Sequence, residues 1–208
     1  MKVRADSDHM ANDQEAAFEK VLTANLGRAT DWVKYGDAKN GVLLAFASAW
    51  LAGIGSLLLS AQERQMPGSI AALLFAAELL FLLGALQAIS ALLPMTDPRE
   101  FIRRPRRTFA SLFFGRPRTT PRPSLLFFGD IRQMEPDTLK IEITQRYRPE
   151  SDRVLTDDYI ADVCGQTVIT SRIAQHKFDA FNRAVLFIFI ALVLLMFAFL
   201  IALLRALS

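Results

Sequence analysis

The sequence predicts an all-α membrane protein: three transmembrane helices, two of them continuing into long cytoplasmic helices, with a small central cytoplasmic region. Three observations predict it. Residues 41–60, 69–93 and 185–204 are apolar blocks that each reach the roughly 20 residues a helix needs to cross the hydrocarbon layer. The polar sequence beside the first and last blocks repeats its apolar residues at helical spacing. No proline lies between Ala11 and Met66 or after Pro149, so neither flanking helix need stop before its block.

Residues 1–40 are an N-terminal cytoplasmic helical arm. From about Asn12, the order Phe18, Leu22, Leu26, Ala29, Trp32, Val33 forms one helical stripe that must be buried. Trp32 and Tyr35 stand just before the first block, where rings with a polar edge favour the membrane interface. Residues 41–60 are the first transmembrane helix. Gly41, Ala45, Ala49 and Gly53 recur there every four residues, a face suited to packing on the second span or to self-association. Residues 61–68 make a short external hairpin, and residues 69–93 the second transmembrane helix. Glu78 lies near the middle of that helix and Gln87 toward its cytoplasmic end. A charge in hydrocarbon is costly, so Glu78 should be protonated, hydrogen-bonded or turned toward a wet interior. It is thus a candidate for coupling or permeation, as is Gln87, with a plain hydrogen bond from Glu78 to Ser48, Ser56 or another subunit as the other reading.

Residues 94–184 are the cytoplasmic sensory region. Pro94, Pro98, Pro105, Pro117, Pro121 and Pro123 interrupt regular structure at its start. Among them stand Arg99, Arg103, Arg104, Arg106, Arg107, Arg116, Arg118 and Arg122, facing only Asp97 and Glu100, which marks a topology signal or a surface for anionic phospholipid. Phe109, Leu112, Phe113 and Phe114 add an interfacial character to the run. Residues 125–131 read as a short buried segment ending at a turn, with a small sheet left open. Residues 136–147 read as a helix with Pro136 in its first turn and Leu139, Ile143 and Tyr147 on one face. A further helix starts near Thr156 or Asp157 and carries Ile160, Cys164, Thr167, Ser171, Ala174, Phe178 and Phe181 toward residues 185–204, the third transmembrane helix. Residues 205–208 form an external tail.

Basic residues orient the chain. Lys34 and Lys39 precede the first span, the arginine run follows the second, and Arg172, Lys177 and Arg183 precede the third, against Arg64 and Arg205 on the other side. The positive-inside rule then places the N-terminus and the central region in the cytoplasm and the C-terminus outside. The first forty residues are polar and hold no cleavable signal pattern, so the first span stays as an anchor. A single cysteine, Cys164, rules out an internal disulfide, and His9 and His176 complete no zinc set with it. Asp157 and Asp158 suit a helix start, where carboxylates meet unmatched amide donors, better than acid–base chemistry. With no nucleophile–base pair, metal motif or phosphate-binding glycine loop, the chain is read as a non-enzyme without a cofactor and without a DNA or RNA partner.

The segment from Trp32 through Asp37-Ala38-Lys39 to Leu44 resembles the membrane junction of Pycsar effector membrane proteins. Phe127-Phe128-Gly129-Asp130-Ile131, and Gln166 through Lys177 to Arg183, suit the same family, as does the order of two spans, cytoplasmic region and third span. The resemblance implies an anti-phage effector of the bacterial inner membrane, a homo-oligomer activated by a cyclic pyrimidine nucleotide from a partner cyclase and acting by membrane damage and abortive infection. Cyclic UMP is the first choice of ligand and cyclic CMP the second. On the matching segments, Tyr35, Lys39, Asn40, Phe128, Gly129, Gln166 and Lys177 are candidates for ligand contact, with Lys39 toward phosphate and Tyr35 or Phe128 toward the base. Asp37 is read either as a ligand contact or as a structural lock with Lys177 or Arg183. Two other classes remain open, a membrane-anchored sensor or scaffold and a constitutive small transporter or channel subunit.

Overall fold

A computed structural model describes residues 2–63, 67–93, 123–148 and 155–207, with side chains from residue 13 and none at 61–63. His9, residues 64–66 of the hairpin, the arginine run with its prolines from Pro94 to Pro121, and the stretch around Phe109 lie outside these described residues or their side chains. Among the described residues five helices follow one another: α1 (Lys2–Glu63), α2 (Gly68–Leu92), α3 (Phe128–Ile131), α4 (Pro136–Tyr147) and α5 (Asp157–Leu207). No strand occurs among the described residues, so the open sheet at 125–131 is instead a bend at Leu125 and Leu126 leading into the single turn of α3. Three of the helices, α1, α2 and α5, are long and apolar enough to cross a membrane, and the protein is an all-α membrane protein.

The chain divides into two compact units: Met1–Tyr35 with Met95–His176, and Gly36–Pro94 with Lys177–Ser208. In the first, the core gathers Phe18 and Leu22 of α1, Leu125, Ile131, Met134, Leu139 and Ile143 from the central segment, and Ile160, Cys164 and Val168 of α5. Each large aliphatic or aromatic side chain buried here contributes about 1.5–3 kcal/mol. Cys164 serves packing, since burial pushes its thiol up to about 11 despite the nearby Lys140. The helical phase of α1 also brings Glu15 and Asn25 inside, while Trp32 is exposed. Leu126 and Phe127, in the segment expected to be buried, are exposed as well, because only Leu125 and Ile131 reach the core. Tyr147 likewise departs from the expected face of α4: Leu139 and Ile143 are buried, but the ring one turn later is 40% exposed.

The second unit packs α1, α2 and α5 around Ala47, Ile54, Leu74, Ala77, Phe81, Ala85, Ile188 and Ala191. Small residues let the helices close up where lipid offers no hydrophobic drive between them. Gly84 shows how close: a Cβ there would lie 2.9 Å from Ile188 Cγ1 and 3.3 Å from the Ala184 carbonyl. The expected packing stripe of α1 is corrected. Ala45, Ala49 and Gly53 are exposed, and no atom lies within 4 Å of a Cβ built on Gly41 or Gly53. The reason is phase. A four-residue step drifts about 40° per repeat on an α-helix, whereas the seven-residue step Asn40, Ala47, Ile54, all buried, stays on one side.

Candidate functional site

Three of the candidate residues, Asp37, Asn40 and Lys177, meet in the second unit, which also holds Lys39 and Arg183. Lys177, on α5, is buried, and its Nζ donates to Asp37 Oδ1 of α1 and, at 2.8 Å, to the Ala91 carbonyl of α2. Ala91 sits in the last turn of α2, where carbonyls lack intrahelical donors, and that turn holds no basic residue of its own. The ammonium of α5 therefore satisfies a terminus of α2 and a carboxylate of α1 together. Asn40, fully buried one turn along α1, donates from Nδ2 to the Gly36 carbonyl at 2.8 Å and to the Lys177 carbonyl at 3.1 Å. Its Oδ1 has no partner among the described groups. Lys39 Nζ stands 5.7 Å from the Phe178 ring centroid and 5.3 Å from that of Phe181, within cation–π range of both. Arg183 is half-buried six residues further along α5, with its Nε lacking a described partner. This arrangement is a clasp: three helices are cross-linked through charged and amide groups in a place where each group left alone would be costly.

Glu78 and Gln87 are half-buried on α2. The Glu78 carboxylate lies against α1 at Gly55, its Oε1 3.2 Å from where a Cβ would stand. Ser48 and Ser56 donate instead to their own helix, to the Leu44 carbonyl at 2.8 Å and the Gly53 carbonyl at 3.0 Å. The Gln87 carbonyl accepts a hydrogen bond from Ser90 Oγ at 2.7 Å.

The remaining candidates belong to the first unit. Trp32 links Tyr35 (centroids 5.9 Å apart) with Phe128 (5.0 Å), and Phe127 lies 5.1 Å from Phe128. Gly129 makes room for this cluster, since a Cβ there would collide with the Phe127 ring. Its carbonyl accepts from Arg132 Nε and Gln133 Nε2, both at 3.1 Å. Gln166 is exposed on α5 and joins neither the clasp nor the aromatic cluster through any described contact.

Several connections escaped the reading of the sequence. Buried Asn25 donates to the Leu125 carbonyl at 3.0 Å and accepts from Arg28 at 2.9 Å. Arg172 donates to the Arg132 carbonyl at 3.0 Å and to the Met134 carbonyl at 2.7 Å, holding the α3–α4 connection to α5. Glu15 accepts from the Leu155 amide at 2.8 Å. Tyr159 donates to Glu19 at 3.1 Å, and that bond, aided by partial desolvation and the carboxylate charge, raises the phenol above its ordinary value. The signal for Glu15 and Asn25 was their register, three residues to either side of Phe18 and Leu22 in the same stripe.

Comparison with known proteins identifies the family of the chain. A family model described as the Pycsar effector protein domain matches residues 21–204. The Pycsar effector protein RsPycTM of a Rhizobium species is 30% identical over 164 residues, covering 78% of this chain and 83% of the relative. No solved structure matches. Since the matched region takes in all three apolar helices, the clasp and the aromatic cluster, this chain belongs to the Pycsar effector family.

Proposed function

We propose that this chain is an anti-phage effector of the bacterial inner membrane that senses a cyclic pyrimidine nucleotide and then permeabilises the bilayer, ending in abortive infection. Cyclic UMP is the first candidate and cyclic CMP the second, supplied by a partner cyclase. The observation that carries this reading is that α1 and α5 each hold both a membrane-length apolar run and a long polar segment within one unbroken helix. A ligand that rearranges the polar segments has a direct route into the spans. For switching, it must bind the active arrangement more tightly than the resting one. The clasp of Asp37, Asn40, Ala91 and Lys177 supports a resting state in which the spans are held together. A homo-oligomer on anionic phospholipid, with the polar segments in the cytoplasm and the C-terminus periplasmic, completes the proposal.

The test is dye release from sealed liposomes of purified full-length protein, with a panel of cyclic purine and pyrimidine nucleotides. Release only with a cyclic pyrimidine nucleotide is the expected outcome. Steady release without any nucleotide identifies a constitutive channel instead, and binding without release identifies an anchored sensor. Glu78→Gln should leave binding unchanged and alter release at least severalfold if that carboxylate lies on the path.

A further inference from the structure

The first unit carries an open cleft of about 610 Å³ between residues 123–126 and the last turn of α4. That volume falls within the roughly 300–1,000 Å³ of small-molecule sites. Its floor is Leu125, almost fully buried, and its wall on the α4 side is Gln145, Arg146 and Tyr147. Tyr147 presents a half-exposed ring, placed to stack on a planar heterocycle. Gln145, which also lines the cleft, offers a carboxamide whose donor and acceptor match the edge of a pyrimidine. Arg146 donates from one terminal nitrogen to the Pro123 carbonyl at 3.3 Å and from the other to Glu142 Oε2 at 2.5 Å. A guanidinium has five N–H donors, so the group keeps the capacity to meet a phosphate, with Glu142 as the anion it must give up in part. The Ser124 hydroxyl, which accepts weakly from the Leu126 amide at 3.3 Å, adds a donor on the facing wall.

Tyr147, Gln145, Ser124 and Arg146 all line one opening, and a ring, an amide, a hydroxyl and a cation together suit a nucleoside phosphate. We propose that this cleft, and not the residues of the clasp, is the nucleotide site; the cyclic pyrimidine identity of the ligand rests on the function proposed above. The same cleft has a way to report occupancy. The Leu125 carbonyl is held by Asn25 of α1, itself buried and braced by Arg28, so drawing residues 123–126 toward a ligand pulls directly on a helix that continues to Glu63.

The experiment is isothermal titration of the full-length protein in nanodiscs with cyclic UMP, cyclic CMP and cyclic AMP, using wild type, Tyr147→Ala, Gln145→Ala and Glu142→Gln. Helical content and elution volume serve as the check that each variant is folded. Tyr147→Ala should weaken binding about tenfold or more, as loss of a stacking ring does, and Gln145→Ala should narrow the preference among the bases. Glu142→Gln should tighten binding about two- to fivefold by freeing Arg146. Nucleotide binding that stays within twofold of wild type in all three folded variants overturns the site and leaves the proposed function standing. Absence of binding to wild type overturns both.

Discussion

Lys177 is the residue on which the clasp depends, because its ammonium answers two acceptors on two other helices. Lys177→Met keeps the packing of the stem but leaves the Ala91 carbonyl without that donor, a loss of about 1–3 kcal/mol for a buried acceptor. Thermal unfolding in detergent should shift down, and liposomes should leak without nucleotide. Asp37→Asn should act in the same direction more weakly, since a carboxamide oxygen still accepts and Asp37 is 40% exposed. A resting leak no greater than that of wild type in Lys177→Met would remove the clasp from control of the spans. As residues, these charges were legible: Asp37 and Lys177 each stand at the polar edge of a span. Which cation meets Asp37 was not, because Lys177 and Arg183 differ by nearly two helical turns and only the crossing of α1 and α5 chooses between them. The Ala91 carbonyl was beyond reading, since a backbone acceptor leaves no mark on residue type.

At the level of elements, boundaries were read closely. Residues 136–147 are α4 as expected, α5 starts at Asp157, and α2 covers 68–92 where 69–93 was read. Pro136, the paired aspartates and the abrupt edges of apolar runs are local signals, and local signals set helix ends. The facing of α1 was misread because small residues marked a stripe while the buried phase was set elsewhere, by Asn40, Ala47 and Ile54. The true close contact in the bundle is Gly84 against Ile188. Gly84→Leu should force α2 and α5 apart, costing about 1–3 kcal/mol from overpacking, and cross-linking yield between cysteines introduced on the two helices should fall. By contrast, Ala49→Leu on the exposed face of α1 should leave that yield unchanged.

For the molecule as a whole, fold class followed from three apolar runs and two proline-free junctions, features that do not depend on how the helices pack. The proposed sidedness rests on Lys34, Lys39, Arg172, Lys177 and Arg183 standing at one end of their spans. A C-terminal alkaline phosphatase fusion should therefore be active in cells and an N-terminal fluorescent protein bright; the reverse pattern would invert the proposed orientation. The division into two units was less legible, because α1 and α5 pass through both without a break in sequence character other than polarity. With the end of α2 tethered to a side chain of α5, an axial slide of one turn, about 5.4 Å, would strand both the carbonyl and the cation in an apolar layer. The tether acts as a fulcrum: it forbids piston travel and leaves swing or rotation, so displacement should grow with distance from that point and be largest at the opposite leaflet.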